Sequence, residues 1–238
     1  MRTAILSDIH GNLEAFEAMH AAIQQRGVER WVFLGNVVGY GADPQACLTL
    51  MRQLSECSIK GNHDAAVAGQ EDLAYFNSFA REAVEWTNAQ LPGEAPDYLA
   101  GLPLTLESED DIYVHAEPSD PGAWSYVLDA DDDAKALNAT AARCCFVGHI
   151  HRAFVCCRGG DHANMLTTGG VVQMEENRRY LVNLGSVGQP RDGDPRACGG
   201  DDDDERDLFE FLRIEYDIAT ARRKIEAAGL PSFLGERL

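Results

Sequence analysis

The chain has 238 residues, 45% apolar and 25% charged, enough to bury a sizeable core and too apolar for a disordered chain. Its 20 Lys and Arg face 39 Asp and Glu, a formal net charge of −19. That balance argues against a protein that coats long nucleic acid or lies on a membrane, because phosphate backbones and anionic lipids repel it; a small phosphorylated substrate stays open, since bound cations reverse the local field.

The apolar pattern predicts a strand over Thr3–Ser7 and a helix over Leu13–Arg26, capped by Asn12 and ended by Gly27. A strand at Trp31–Leu34, a helix at Pro44–Leu54 with Asp43 as N-cap, and a strand at Cys57–Lys60 follow. Leu73–Gln90 reads as one helix, broken off by Pro92 and Pro96. The second half is strand-rich. Thr105–Glu107 and Ile112–His115 flank an acidic turn, Asp129–Asn138 is a short helix, and Phe146–Val147, Phe154–Cys157, Val171–Gln173 and Tyr180–Leu184 are strands. Gly199–Asp207 contains the run DDDDE and reads as a solvated loop, because packed like charges repel. Leu208–Tyr216 is a strand and Ile218–Ala228 a helix ended by Gly229. No repeat or long linker divides the chain, so one domain over residues 1–238 is expected.

Asp8 and His10 interrupt the first apolar stretch too soon for a signal-peptide core, and no apolar run approaches the ~20 residues that cross a bilayer. A cytoplasmic protein is expected. The seven cysteines lack CxxC spacing, and two adjacent pairs, Cys144-Cys145 and Cys156-Cys157, lie in β-rich runs where neighbours face opposite ways. Reduced, mostly buried thiols are expected.

Five short polar clusters each follow an apolar strand: SDIHGN at 7–12, LGNVVGYG at 34–41, KGNHDA at 60–65, VHAEP at 114–118 and VGHIHR at 147–152. Taken singly, each has a bland reading: a packed or surface histidine, a turn at Gly61-Asn62, a helix cap at Asn12. Together they form a pattern, because loops beyond the carboxyl ends of strands converge on one crevice. Carboxylate and carbonyl oxygens suit hard cations and imidazole suits Mn, Fe and Zn, so the clusters point to a metal site.

The ordered set resembles the signature of the calcineurin-like metallophosphoesterases: Asp8-Ile9-His10, Gly35-Asn36 through Gly39-Tyr40-Gly41, Gly61-Asn62-His63-Asp64, Val114-His115-Ala116 and Gly148-His149-Ile150-His151. The stretch from Asn183 to Asp192 is similar to that of the small bacterial and archaeal phosphodiesterase-like branch. The resemblance implies an α/β fold, a four-layer αββα sandwich of two mixed β-sheets flanked by helices. It also implies two divalent transition metals, drawn from Mn, Fe, Zn, Ni or Co, that activate a water and clamp the phosphate of a small phosphodiester or phosphomonoester. By that resemblance Asp8, His10 and His151 bind one metal, Asn62, His115 and His149 the other, and position 36 bridges them. His63 protonates the leaving oxygen and Asp64 orients its ring. Arg191, after a Gly-rich turn, either contacts phosphate, which a guanidinium matches bidentately, or forms a structural salt bridge.

The main departure is Asn36, where the family carries an aspartate. Asn has one acceptor oxygen and no charge, so two cations would face each other with less screening and at least one should bind more weakly. Ala116, Ile150 and Leu184 replace the usual glycine, threonine and proline. The rival reading is a pseudoenzyme with the same pocket and a binding or regulatory role.

Overall fold

The computed structural model describes residues 1–55, 57–159 and 162–238. β1 (Arg2–Leu6) and β2 (Arg30–Phe33) run parallel, joined through α1 (Leu13–Gln24). α2 (Pro44–Leu54), α3 (Asn62–Val67), α4 (Ser78–Gln90) and α5 (Ala95–Gly101) follow. Next come β3 (Thr105–Glu107), β4 (Asp111–Val114), α6 (Ala130–Ala139), β5 (Cys144–Val147), β6 (Ala153–Gly159), β7 (His162–Thr167), β8 (Val171–Gln173) and β9 (Arg179–Leu184). β10 (Ala197–Asp203), β11 (Leu208–Ile214), α7 (Ile218–Ala227) and α8 (Ser232–Glu236) complete the chain. The strands form two mixed sheets, ordered β2-β1-β10-β11-β8 and β3-β4-β5-β9-β6-β7.

Period-two alternation turns these sheets into layers. In β1, Ala4 and Leu6 join Phe16 and Met19 of α1 and Met51 of α2 on the outer face, while Ile5 points between the sheets toward Val32, Phe146, Val182 and Phe209. In β5, Cys144 and Phe146 face that inner core, whereas Cys145 and Val147 face Ala136 and Leu137 of α6. Cys157 and Cys156 split the same way in β6. The expected order of helices, sheet, sheet and helix is therefore present, and the adjacent cysteines divide between two cores. All seven cysteines are unpaired and all but Cys57 are buried. Among the described residues no helix is long and apolar enough to cross a membrane.

Several local expectations need correction. Cys57–Lys60 is no strand: a single bridge joins Ser58 to Phe33, and Lys60 N–H turns away to the Pro103 carbonyl (2.8 Å). Leu73–Gln90 is divided, because the Asn77 side chain accepts from Ala80 N–H and starts α4 afresh after a single 3₁₀ turn at Leu73–Tyr75. Pro96 does not break the chain but sits in the first turn of α5, where no intrahelical N–H is needed. α3 and β7 carried no pattern that set them apart.

The largest correction concerns the acidic run. Asp201, Asp202 and Asp203 are strand, paired to Ala4, Thr3 and Arg2 of β1 on one side and to Glu210, Phe209 and Leu208 of β11 on the other; only 204–207 turn. Asp201 is buried because two arginines meet it. Arg2 grips it through Nε and Nη2 (2.8 and 2.7 Å), and Arg26 Nε donates at 2.5 Å. Asp202 faces the other way beside Asp204 and Asp111, and burial followed by those acids raises its pKa to about 8.

These placements set two expectations. Asp201→Ala leaves Arg2 without a carboxylate and Arg26 with Glu210 alone, and should lower the unfolding free energy by about 2–3 kcal/mol in urea denaturation. Asp202 keeps a proton in the native state that the unfolded chain releases near its ordinary value of 3.8. Stability should therefore fall as pH rises from about 4 to about 8, and Asp202→Asn should flatten that decline in parallel denaturation curves.

Candidate metal centre

The carboxyl ends of β1, β2, β4 and β5 lie at one edge of the two sheets, and the polar clusters meet there. β1 delivers Asp8 and His10, β2 Asn36, β4 His115, and β5 His149 and His151. Cross-links fix the loops: Asp8 N–H donates to Gly35 O (3.1 Å), His10 N–H to Asn36 O (2.9 Å) and Gly148 N–H to His115 O (2.9 Å). Ser186 Oγ donates to the Asp8 carbonyl at 2.7 Å, bringing in the turn after β9. The backbone is strained to achieve this. Asp8, His10, Asn36, Tyr40, His149 and His151 all have φ between +51° and +68°, a region non-glycine residues rarely enter. Gly148 is required for a different reason: a Cβ there would lie 2.0 Å from Ser7 Oγ and 2.7 Å from Asp8 Oδ2.

Asp8 is fully buried at the centre. Its Oδ2 accepts from Ser7 Oγ (2.7 Å) and His149 N–H (2.9 Å), leaving Oδ1 3.4, 3.3 and 3.9 Å from Nε2 of His10, His151 and His115. Burial alone would raise its pKa, but the surrounding imidazoles hold it well below the usual carboxylate value. Three rings are pinned from behind. Nδ1 of His10, His115 and His151 donates to the carbonyls of Val38 (3.1 Å), Leu34 (2.6 Å) and Gln189 (2.6 Å). A carbonyl only accepts, so Nδ1 carries the proton and each Nε2 presents its lone pair to the centre, the arrangement seen for metal-ligating histidines. Burial lowers the pKa of His10 and of His149 to about 3, which keeps both neutral.

Asp8, His10 and His151 offer ligand atoms all within 4.8 Å of one another. Nε2 of His10 and of His151 are 3.1 Å apart, two lone pairs that a cation would reconcile. These residues fit one divalent ion. The second group is arranged differently. His149 Nε2 is buried without a partner, as a vacant ligand would be, but Asn36 fills the space between the rest. Its Nδ2 lies 3.0 Å from Asp8 Oδ1, 3.0 Å from Asn62 Oδ1 and 3.0 Å from His115 Nε2. Its Oδ1 accepts the His63 backbone N–H at 2.8 Å. Turning the amide over would set its NH2 against that N–H, donor to donor. Position 36 thus presents an amide nitrogen, not a bridging oxygen, to the ligands. The residues of the second group do not fit a cation unless Asn36 gives up these contacts.

His63 lies beside the first group, its ring 4.8 Å from that of His10 and 4.5 Å from that of Tyr40, with Nδ1 unpaired. Burial, then the neighbouring His10 and His151, push its pKa well below the ordinary histidine value. Asp64 does not orient this ring. Its Oδ2 accepts backbone N–H from Asn36 (2.6 Å) and Gly61 (3.0 Å), because at the third position of α3 it faces back over the helix start. Arg191 forms no salt bridge among the described residues; it donates to Gln189 Oε1 (2.8 Å), and its guanidinium lies 5.8 Å from the centre of the Tyr40 ring. The motifs gave no sign of Tyr126, whose ring stacks on His149 at 4.6 Å and 16° while remaining 55% exposed.

Residues 1–201 match the Calcineurin-like phosphoesterase superfamily domain. The chain belongs to that superfamily. It is 40% identical to the uncharacterized protein MJ0912 of Methanocaldococcus jannaschii, over 99% of this chain and 96% of that one. It is similar to the crystal structure of a metallophosphoesterase from Sphaerobacter thermophilus, with 37% identity, a TM-score of 0.87 and coverage of 100% and 97% of the two chains. The hypothetical protein PH1004 of Pyrococcus horikoshii shares the fold, with a TM-score of 0.78 at 20% identity over 99% and 96% of the chains. Membership of the calcineurin-like phosphoesterases makes this chain a metal-dependent phosphoester hydrolase in general terms.

The Asn36 amide has a measurable consequence. In Asn36→Asp one oxygen keeps the His63 N–H, and the other faces Asp8 Oδ1, Asn62 Oδ1 and His115 Nε2, an arrangement of acceptors that needs cations. Bound divalent metal per chain should rise in elemental analysis. Thermal melts should show the metal-free variant below the parent and a larger rise on adding Mn²⁺.

Proposed function

We propose that this chain hydrolyses a small phosphodiester or phosphomonoester at the Asp8 cluster, with water as the attacking group. The observation that supports it best is the ionised Asp8 facing three imidazoles, each locked by a backbone carbonyl with its lone pair inward. In this reading Asp8, His10 and His151 hold one divalent cation and Asn62, His115 and His149 a second, once Asn36 yields its place between them. Bound cations would lower the pKa of a water and neutralise phosphate oxygens. His63, whose ring stands beside that of His10, supplies the proton to the leaving oxygen, which requires the charge of a bound phosphate to restore the pKa that burial lowers. The pinned rings hold the ligand set without reorganisation, and Asp64 holds the loop that carries Asn36 and His63. The −19 charge disfavours long nucleic acids and anionic membranes as partners.

A second reading, a binding protein with an incomplete metal centre, is favoured by one observation: the Asn36 nitrogen already lies 3.0 Å from Asn62 Oδ1 and His115 Nε2, two of the atoms a second cation would use. Metal content and turnover of bis(p-nitrophenyl) phosphate with Mn²⁺, measured on one preparation, separate the two. Turnover that disappears in Asp8→Ala supports hydrolysis. Empty or singly occupied protein without turnover supports the binding role.

The proton-donor assignment carries its own expectation. His63→Ala should lower kcat by roughly 10²–10⁴-fold for alkyl esters, and much less for p-nitrophenyl esters, whose leaving oxygen needs no proton, with metal content nearly unchanged. Equal losses across a leaving-group series would remove His63 from that role.

A further inference from the structure

The superfamily domain covers residues 1–201, and the chain beyond it returns to the metal centre. Ile225, Leu230 and Leu234 pack with Ala83 of α4 in one buried cluster, and Tyr40 lies against that cluster. The Tyr40 ring is also 4.5 Å from those of both His10 and His63, so it joins the α7–α8 pair to the centre. Arg237, which follows α8, is exposed, with its guanidinium 4.9 Å from the centre of the Phe233 ring. Its charge acts on the Tyr40 phenol, as do the charge of Arg191 and the Tyr126 phenol, and Arg191 in turn acts on Arg237. Tyr126 stacks on His149, and Arg191 N–H donates to the His151 carbonyl (2.9 Å). Two guanidinium groups and two phenols, all hydrogen-bond donors, therefore gather at the mouth of the centre.

No carboxylate answers the two arginines. Arg191 is aligned by a neutral acceptor, Gln189 Oε1 (2.8 Å), and Arg237 forms no ion pair or hydrogen bond among the described residues. The acids next to them in sequence turn away: Asp192 pairs with Arg213, and Glu236 acts on Arg222 of α7. Asp8, at the centre, is enclosed by its histidines. In a chain with 39 acids and 20 bases, two guanidinium groups that lie in each other's field and meet no acid mark a place for an external anion. The count of oxygens decides which anion. A phosphodiester has two non-bridging oxygens and one charge, which the cation-binding side of the site takes up. A phosphomonoester has a third oxygen and close to two charges, and that oxygen needs donors of its own. In a diester the same place holds an uncharged ester group, which would take water from the guanidinium groups and return no hydrogen bond.

We propose that Arg237 is a specificity-determining residue: with Arg191 it receives the third oxygen of a dianionic phosphomonoester, and so selects monoesters over diesters. The proposal rests on the phosphoesterase reading and chooses between its two substrate classes. Arg191 stands by the ligand His151, and Arg237 completes the pair from a helix outside the superfamily domain.

Calorimetry on the Mn²⁺-loaded protein at about pH 8 compares inorganic phosphate, mostly a dianion there, with dimethyl phosphate, a monoanion. Arg237→Ala should weaken phosphate at least about fivefold and dimethyl phosphate less than about twofold, with partial recovery in Arg237→Lys. In turnover, the same variant should lower kcat/KM at least about tenfold for p-nitrophenyl phosphate and less than about twofold for bis(p-nitrophenyl) phosphate. Arg222→Ala removes an exposed charge that pairs with Glu226 on α7 and should change none of these, which separates the site from the overall charge of the helices. Phosphate affinity untouched by Arg237→Ala, equal losses for phosphate and dimethyl phosphate, or no phosphate binding to the parent protein overturns the proposal. Phosphate binding that depends on Arg237 in a protein that hydrolyses neither ester would instead count against the phosphoesterase reading and leave the anion site standing.

Discussion

The Asp8 carboxylate is completely buried, and every feature of the sheet edge answers the cost of keeping a charge there. One oxygen is met by a hydroxyl and a backbone N–H and the other by the Asn36 amide nitrogen, with imidazole rings around it whose far sides are fastened to main-chain carbonyls. Those fastenings require the loops after β1, β2, β4 and β5 to bend sharply. The bends in turn place non-glycine residues at positive φ and exclude even a methyl group at Gly148. Such strain persists only where the surroundings over-determine it. Here the surroundings are two sheets whose inner and outer cores hold all four strand ends in register.

The centre was legible because its chemistry lies in short motifs at strand ends, and strand ends are fixed by alternation. Asp8, His10, His63, His115, His149 and His151 converge although they span most of the chain. Roles set by side-chain rotation were not legible. Which end of Asn36 faces the ligands depends on the His63 N–H beside it, and Asp64 is turned to backbone donors by its place in α3, a helix too short to leave a periodic signal. Tyr126 lies in an irregular segment and reaches His149 only through the folded loop.

The acidic run shows the opposite failure. Four consecutive aspartates suggested solvent because their repulsion is visible in sequence, while the compensating charges are not. Arg2 and Arg26 stand about 175 residues or more from Asp201 along the chain. Alternation then sends Asp201 toward those arginines and Asp202 to the other face, where burial and the neighbouring Asp204 and Asp111 outweigh Arg143 and it holds its proton instead. A repulsive row thus becomes a strand carrying one charged and one neutral carboxyl on its two sides.

That strand also governs the order in which the molecule can form. β10 stands between β1 and β11 in the middle of its sheet, so the first strand gains its second neighbour only when the last fifth of the chain arrives. On a ribosome, β1 and β2 would emerge with one flank unpaired and the Arg2 and Arg26 side chains without their acid. Closure across some 200 residues carries a large loop entropy and slows folding. The exposed flank of β1 is therefore the surface a nascent chain must keep from pairing with a neighbour, and β10 is the piece that seals it.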